Sequence, residues 1–435
     1  MSRLYSRTLD FAVSGALLGL LAVVAVWNAF AYPPLGGFDA REHVAYAHDL
    51  RDGRLPEGGA SYTPPGYYAL AALAIRLGEA LGMVTPEHLA QVVNALCLVA
   101  TGVLVLVLGR VLLPGRPLVR WSALAFFACS PVVLKTGAMF HPQPLAMLLS
   151  LLALTTTAWM VARRDYRLWL WAALALSLAG AQLVRSVSIW VVGVVLVTLV
   201  AAAVAQREER RRIVTALAAS ALAMVLLPLP WYLHNQSTGG NAVLGRGLSL
   251  VSFDSPWPGD FYIDPDLPDV ITHPQRAELG VGLVPILYAE TWGDFFGIWS
   301  WGAARRELTS AVDRRLALQS IVGLPLTAIA LAGWFAFAAL ALSRWREAPE
   351  RLIVALSPLV GLAAVVFYVT RSYRPDGDTV KALFLLPAAP FWALSFGFAV
   401  DVLVERSRRA GVVLLPLLGL CLLVSLAYGT YAFVS

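Results

Sequence analysis

Long apolar runs recur along the chain roughly every 25 to 30 residues, and each approaches the ~20 residues that a helix needs to cross hydrocarbon. Read in order they fall at 11–31, 88–109, 120–138, 143–162, 168–184, 187–205, 213–233, 316–342, 352–369, 382–400 and 412–432, about eleven spans. Two polar stretches between them, 32–87 and 234–315, are too long to be simple connectors. Unstructured loops of that length are uncommon unless they carry function. Inside the first, Tyr67 to Gly82 is apolar for about 16 residues but broken by Arg76 and Glu79. That is short for a span and suits a helix lying at the membrane interface. The pattern predicts an all-α polytopic membrane protein of about eleven transmembrane helices, with interfacial helices in its first outer loop. It shows no internal repeat and no soluble domain after the last span, so 1–435 reads as a single transmembrane unit.

Composition agrees and removes other classes. Hydrophobic residues make up 59% of the chain and charged ones 14%, and the mean hydropathy is +0.70. The basic pI of about 9.3 does not indicate nucleic acid, because the arginines are scattered through short loops with no basic domain to carry them. Cys97, Cys129 and Cys421 lie far apart inside apolar runs, a spacing that makes neither a disulfide framework nor a metal site. Ala29-Phe30-Ala31 has the small-x-small form of a signal cleavage site, but the run before it is long for a signal peptide. A retained anchor is the expectation.

Charge placement orients the chain. With the N-terminus inside, the inner loops and tail hold a balance of +10 and the outer ones −4, which together make the formal +6. Inner loops such as Gln206 to Arg212 are the basic ones, as the positive-inside rule requires. All six histidines, at 43, 48, 88, 141, 234 and 273, and both lysines, Lys135 and Lys381, then fall on the outer side or at its boundary. The Arg-over-Lys bias and the lack of a retention signal lead us to expect a bacterial or archaeal plasma membrane, with the chemistry on the outer face.

Phe38 to Tyr68 is where ionisable groups concentrate: Asp39, Arg41, Glu42, His43, His48 and Asp49, followed by Tyr62-Thr63-Pro64-Pro65. One reading is a solvated loop, with Asp39 as an N-cap and Glu42 and His43 on an exposed helical face. The other is a catalytic loop. The order of residues favours the second. Phe38-Asp39-Ala40-Arg41-Glu42-His43 with Tyr46-Ala47, and Thr63-Pro64-Pro65-Gly66-Tyr67-Tyr68, resemble the acidic first-loop motif and the Pro-Pro-aromatic helix start of the GT-C glycosyltransferases. Leu183-Val184-Arg185, Pro230-Trp231-Tyr232-Leu233-His234-Asn235 and Lys381-Ala382-Leu383-Phe384-Leu385-Leu386-Pro387 are similar to later motifs of that superfamily, in the same order over nearly the whole chain. Protein O-mannosyltransferases and lipid A aminoarabinose transferases belong to it.

The resemblance implies a GT-C-like fold and transfer of sugar from a polyprenyl-phosphate monosaccharide to a glycan, lipid or protein acceptor. It implies Asp39 as the base that takes the acceptor's proton, with Glu42 or His43 orienting it or meeting the acceptor. Such chemistry needs a positioned carboxylate and cations that hold the leaving phosphate as charge develops on it. Candidates at the outer boundary are Arg185, Arg371, Arg374 and Lys381, each of which could instead be an interfacial cation whose head reaches water. Tyr62 and His141 are further candidates for substrate binding. Trp257, Trp292, Trp299 and Trp301 read either as sugar or prenyl platforms or as interface anchors.

One departure bears on metal. Where many GT-C members carry a second acid at the start of the fourth span, this chain has Phe140-His141-Pro142-Gln143-Pro144. A divalent cation such as Mg²⁺ or Mn²⁺ prefers oxygen ligands. The acids left to supply them are Asp254, Asp260, Asp264, Asp266, Glu290 and Asp294, all in the second long loop. No metal ligand is assigned. The competing functions are a lipid or sugar transporter or flippase, which would need ionisable groups near the bilayer midplane, and an inactive scaffold that binds lipid-linked glycan.

Overall fold

The computed structural model describes residues 7–57, 59–237, 257–300, 308–372, 374 and 376–433. Every regular element among them is helical. Trp301 and Asp254 lie outside the described residues.

The first helix, α1 (Arg7–Ala31), leads into two amphipathic helices, α2 (Ala40–Arg51) and α3 (Gly66–Ala80). Then come α4 (His88–Leu112), α5 (Pro117–Cys129), α6 (Pro131–Ala138), α7 (Gln143–Arg163), α8 (Leu168–Val184), α9 (Trp190–Ala205), α10 (Arg210–Leu226) and α11 (Leu229–Ser237). Three short helices of the second long loop follow, α12 (Gly259–Ile263), α13 (Asp269–Thr272) and α14 (Leu283–Trp292). The chain closes with α15 (Ser310–Ser343), α16 (Leu352–Arg371), α17 (Ala389–Arg406) and α18 (Arg408–Gly429). A tight 3₁₀ segment, Ala382–Ala388, precedes α17.

Each of the eleven expected spans lands on helix. Among the described residues nine helices are long and apolar enough to cross a bilayer, or up to ten if the pair α5 and α6 counts as one span. That pair bends by 53° at Ser130, where Pro131 cannot supply an N–H and breaks the ladder. The remaining run, 168–184, is a 17-residue apolar helix, shorter than a usual span. This is a multi-pass membrane protein. The interfacial helices expected after the first span are present as α2 and α3, which bury Tyr46, Ala47, Tyr67, Tyr68 and Ile75 against each other and α4.

Hydrocarbon gives helices little hydrophobic reason to associate, so close approach of backbones takes over that role. Glycines mark where it occurs. A Cβ on Gly397 of α17 would fall on the Val119 carbonyl of α5, and one on Gly333 of α15 would fall on the Ser395 carbonyl of α17. The α5–α17–α15 stack therefore depends on bare backbone. Gly66, in the Pro-Pro-Gly start of α3, has the same role: a Cβ there would sit 2.7 Å from the Leu183 carbonyl at the end of α8. Polar side chains pin the end of the bundle where α1 begins. Asp10 of α1 accepts from Arg110 at 2.9 Å, Arg120 at 2.8 Å and Trp121 at 3.0 Å.

Replacing Gly397 with valine should force α5 and α17 apart and lower stability by about 1–3 kcal/mol, the usual cost of overpacking. Thermal unfolding in detergent measures it, and an unchanged midpoint would show that the two helices do not need this contact.

Candidate active site

Two buried amides on α4 organise the end of the bundle at which that helix begins. Gln91 and Asn94 are both 0% exposed, one turn apart on an otherwise apolar helix, and buried polar groups in such a place require partners. Gln91 Nε2 donates to the Tyr32 carbonyl at 3.0 Å and the Ala138 carbonyl at 2.6 Å. Asn94 Nδ2 donates to the Met139 and His141 carbonyls, each at 2.9 Å. His88, one turn before Gln91, places its Nδ1 2.9 Å from the Ala29 carbonyl. These bonds clamp the end of α1 and the irregular stretch between α6 and α7, and the site is built on that clamp.

The turn from α1 into α2 lies directly on it. Gly36 rests on the Tyr32 ring and Gly37, at φ +92°, on Met139; a Cβ on either would come within 2.9 Å of those side chains. Asp39 follows in the left-handed region, φ 51° and ψ 24°, as the N-cap of α2, yet its side chain makes no capping bond. A non-glycine residue held there is uncommon, although aspartate tolerates it better than most. The carboxylate is free to face outward, and Asp39 Oδ2 stands 3.6 Å from Lys381 Nζ. Lys381 is nearly buried and lies 4.7 Å above the Phe38 ring. The bland reading of Asp39 as a simple helix cap does not match this geometry.

Below Asp39, His43 is buried, and its Nδ1 is 2.7 Å from the Tyr68 hydroxyl. Its Nε2 has no hydrogen-bond partner. The ring meets that of His141 edge-on, with centroids 4.9 Å apart. His141 Nδ1 accepts the Gln143 N–H at 3.2 Å, which places its ring proton on Nε2. Burial foremost, and then the cations Arg185 and Lys381, hold both imidazoles below their ordinary range; His43 adds to the effect on His141, and Asp39 acts the other way on His43. Both are neutral at physiological pH.

Arg185 caps α8 with extended backbone and has its guanidinium over Phe384, 5.8 Å from the ring centroid. Its Nε is buried without a partner. Its charge acts on His43, His141, Tyr62 and Tyr68 alike, so the ends of α2, α8 and the 3₁₀ segment converge. Tyr62 is half-exposed beside them. Of the residues singled out from sequence, Asp39, His43, Tyr62, His141, Arg185 and Lys381 thus form one group. Glu42 is exposed on the next turn of α2. Arg371 stacks on Phe367 of its own helix, 5.5 Å from the ring centroid, and Arg374 is exposed on the following loop.

The second long loop is now placed in part. Asp260, Asp264 and Asp266 are surface acids, Asp266 Oδ2 accepting the Gly280 N–H at 2.9 Å. Glu290 and Asp294 are buried, but lysine and backbone N–H groups occupy them. Among the described residues no three His, Cys, Asp or Glu side chains converge as metal ligands. Trp299 stacks on Tyr32 at 5.0 Å and Trp292 hydrogen-bonds Thr327, so both are packed structural residues. Trp257 is likewise buried and stacked on Phe261 at 3.9 Å. Sequence reading missed Phe38, Tyr68 and Phe384, the aromatic surfaces that seat Lys381, His43 and Arg185. The one available signal was their place inside the quoted motifs, since each lies far in sequence from the side chain it meets.

The same arrangement of helices occurs in known enzymes. The chain superposes on the oligosaccharyltransferase of Archaeoglobus fulgidus in its apo form with a TM-score of 0.59 and 14% identity, over 96% of this chain and 56% of that one. The same archaeal enzyme, AglB, in complex with an inhibitory peptide and a dolichol-phosphate, superposes at 0.57 and 13% identity, with the same coverage. ArnT from Cupriavidus metallidurans bound to undecaprenyl phosphate gives 0.51 and 14%, over 96% of this chain and 64% of that one. The fold is GT-C-like. The resemblance read from five short motifs is therefore met by the three-dimensional structure. The chain spans little more than half the length of the archaeal enzymes. Neither a scan against protein-family models nor a search of curated proteins returns a match.

The neutral histidines make stability depend on pH. Their folded pKa values lie below the ordinary 6.5, so the unfolded chain takes up protons first as pH falls. The stability they contribute is complete above about pH 6.5 and drains away below it, with a slope of up to about 1.4 kcal/mol per pH unit for each histidine. Unfolding midpoints between pH 7.5 and 5 should fall for the native chain and fall less steeply for His43→Phe. Parallel profiles would mean that His43 is protonated in the fold.

Proposed function

We propose that the chain is a membrane glycosyltransferase that moves a sugar from a polyprenyl-phosphate monosaccharide to a glycan, lipid or protein acceptor on the non-cytoplasmic face of the plasma membrane. The observation that carries this reading is the outward-facing Asp39 carboxylate, held in a left-handed turn 3.6 Å from a nearly buried Lys381, with Arg185 close by. Asp39 takes the proton from the acceptor hydroxyl as the sugar–phosphate bond breaks. Lys381 and Arg185 hold the phosphate and stabilise the charge that builds on it. Arg185 enters that role with an unpaired buried Nε and a planar fork suited to phosphate oxygens. His141 offers a neutral Nε2–H donor, and His43 with Tyr68 supports the turn that presents Asp39. Tyr62 lines the approach to substrate. Glu42 stands on the exposed turn that an acceptor would reach first, and Arg371 and Arg374 border the loop leading to Lys381 and would draw in the anionic headgroup. The solved relatives bound to dolichol-phosphate and undecaprenyl phosphate support a lipid-linked donor.

Transfer assays with defined polyprenyl-phosphate sugars provide the test. Asp39→Asn should lower kcat by at least about 100-fold, the low end for loss of a general base, and leave donor binding largely intact. Near-normal turnover would move the base to Glu42.

Arg185→Gln and Lys381→Gln should each cost roughly 10- to 150-fold in donor kcat/KM, as expected for charge-assisted contacts of about 1.5–3 kcal/mol, and much less for the acceptor. Equal, small effects on both substrates would reduce these cations to interfacial anchors. Cysteines placed in 32–57 should react with an impermeant reagent in intact cells, and cysteines at 206–212 should not. The reverse would sink the orientation.

A further inference from the structure

A second cluster of buried charge lies beneath the Asp39 turn. Lys135 of α6 and Glu290 of α14 have side chains 2% and 3% exposed, with Nζ and Oε2 3.6 Å apart. Lys135 also donates to the Glu290 carbonyl at 3.1 Å and to the Gly293 carbonyl. Those carbonyls end α14 and have no partner in the helix itself, and a cation at a helix C-terminus is favourably placed. Glu290 Oε1 in turn accepts the Phe296 N–H at 3.1 Å. Asp294 Oδ2 gathers the Trp299 N–H at 2.8 Å, the Ser300 N–H at 2.6 Å and the Ser300 hydroxyl at 2.7 Å. The loop 293–300 is thus wound around two carboxylates and one ammonium.

The outer side of that loop bears on the site. The Phe296 ring meets Phe38 edge-on at 5.3 Å, and the opposite partner of Phe38 is Lys381, 4.7 Å from the ring centroid. An unbroken series of contacts therefore runs from Lys135 through Glu290, Phe296 and Phe38 to Lys381 and Asp39. A buried ion pair adds little stability over well-packed apolar residues of the same size, so stability alone does not account for this one in an apolar helix.

We propose that Lys135 and Glu290 are positioning residues, which fix the 293–300 loop as a rigid backing for Phe38 and so hold Lys381 and Asp39 in register. This rests on the role given above to Asp39 and Lys381. Displacement of reacting groups by about 1 Å can cost up to roughly 100-fold in rate. Glu290→Gln and Phe296→Leu should each lower kcat roughly 10-fold or more while changing donor KM by less than about threefold. The double variant Lys135→Met/Glu290→Met removes both charges together and leaves neither charge unpaired, although it strips the partner from the Phe296 N–H and from the two carbonyls that end α14; it should still unfold cooperatively, at a lower midpoint, and remain slow. Amide exchange in 36–43 and 382–386 should quicken in all three. Native kcat and native exchange in the double variant would overturn the proposal and make the pair a purely structural one. If the unmodified chain turned over none of the polyprenyl-phosphate sugars, the functional reading would fall, and the exchange comparison would still decide whether the pair controls the turn.

Discussion

Every polar group that enters hydrocarbon must find its partner inside the protein, because the bilayer core offers none. In this chain that constraint works hardest at the N-terminal end of α4. His88, Gln91 and Asn94 recur at one-turn spacing on a helix that is apolar elsewhere, and they accept the task of holding irregular backbone from the end of α1 and the α6–α7 break. Irregular backbone at that depth survives only when buried in protein and hydrogen-bonded. Once it is held, the Gly36-Gly37 turn has a surface to lie on, and α2 starts where it does.

The site inherits its electrostatics from this arrangement. Its cations and imidazoles come from helix ends and breaks, where the backbone is irregular and side chains converge from several elements. Low dielectric keeps the imidazoles neutral and strengthens the effect of Arg185 and Lys381. Asp39 stays toward solvent while Lys381 is nearly buried. An exposed carboxylate therefore faces a shielded cation.

Aromatic rings do much of the positioning. Phe38, Phe384 and Tyr68 seat Lys381, Arg185 and His43 respectively, and Phe296 backs Phe38. A ring fixes a cation's position without neutralising it, unlike a carboxylate partner, and leaves the charge available to an anion. The buried Lys135–Glu290 pair does the opposite: its charges satisfy each other and the end of α14, and none is left over for substrate.

What the sequence by itself determined is the architecture. Apolar runs of about 20 residues, their recurrence and the two long polar stretches are local properties, and a helix in a bilayer needs nothing else to be specified. For the same reason α2 and α3 were readable, whereas the bend at Ser130-Pro131 falls inside a run, 120–138, that reads as one span. Asp39, His43 and Tyr62 could be singled out because they crowd one segment. Whether Asp39 caps a helix or faces a cation was not a local question. Lys381 reaches it from near the other end of the chain, Arg185 comes from the middle, and Glu290 and Asp294 turn out to hold Lys135 and backbone amides. Such pairings depend on which helix ends meet. Bare-backbone contacts at Gly333, Gly397 and Gly66 and buried amides on α4 decide that, and a residue's own neighbours in sequence do not record it.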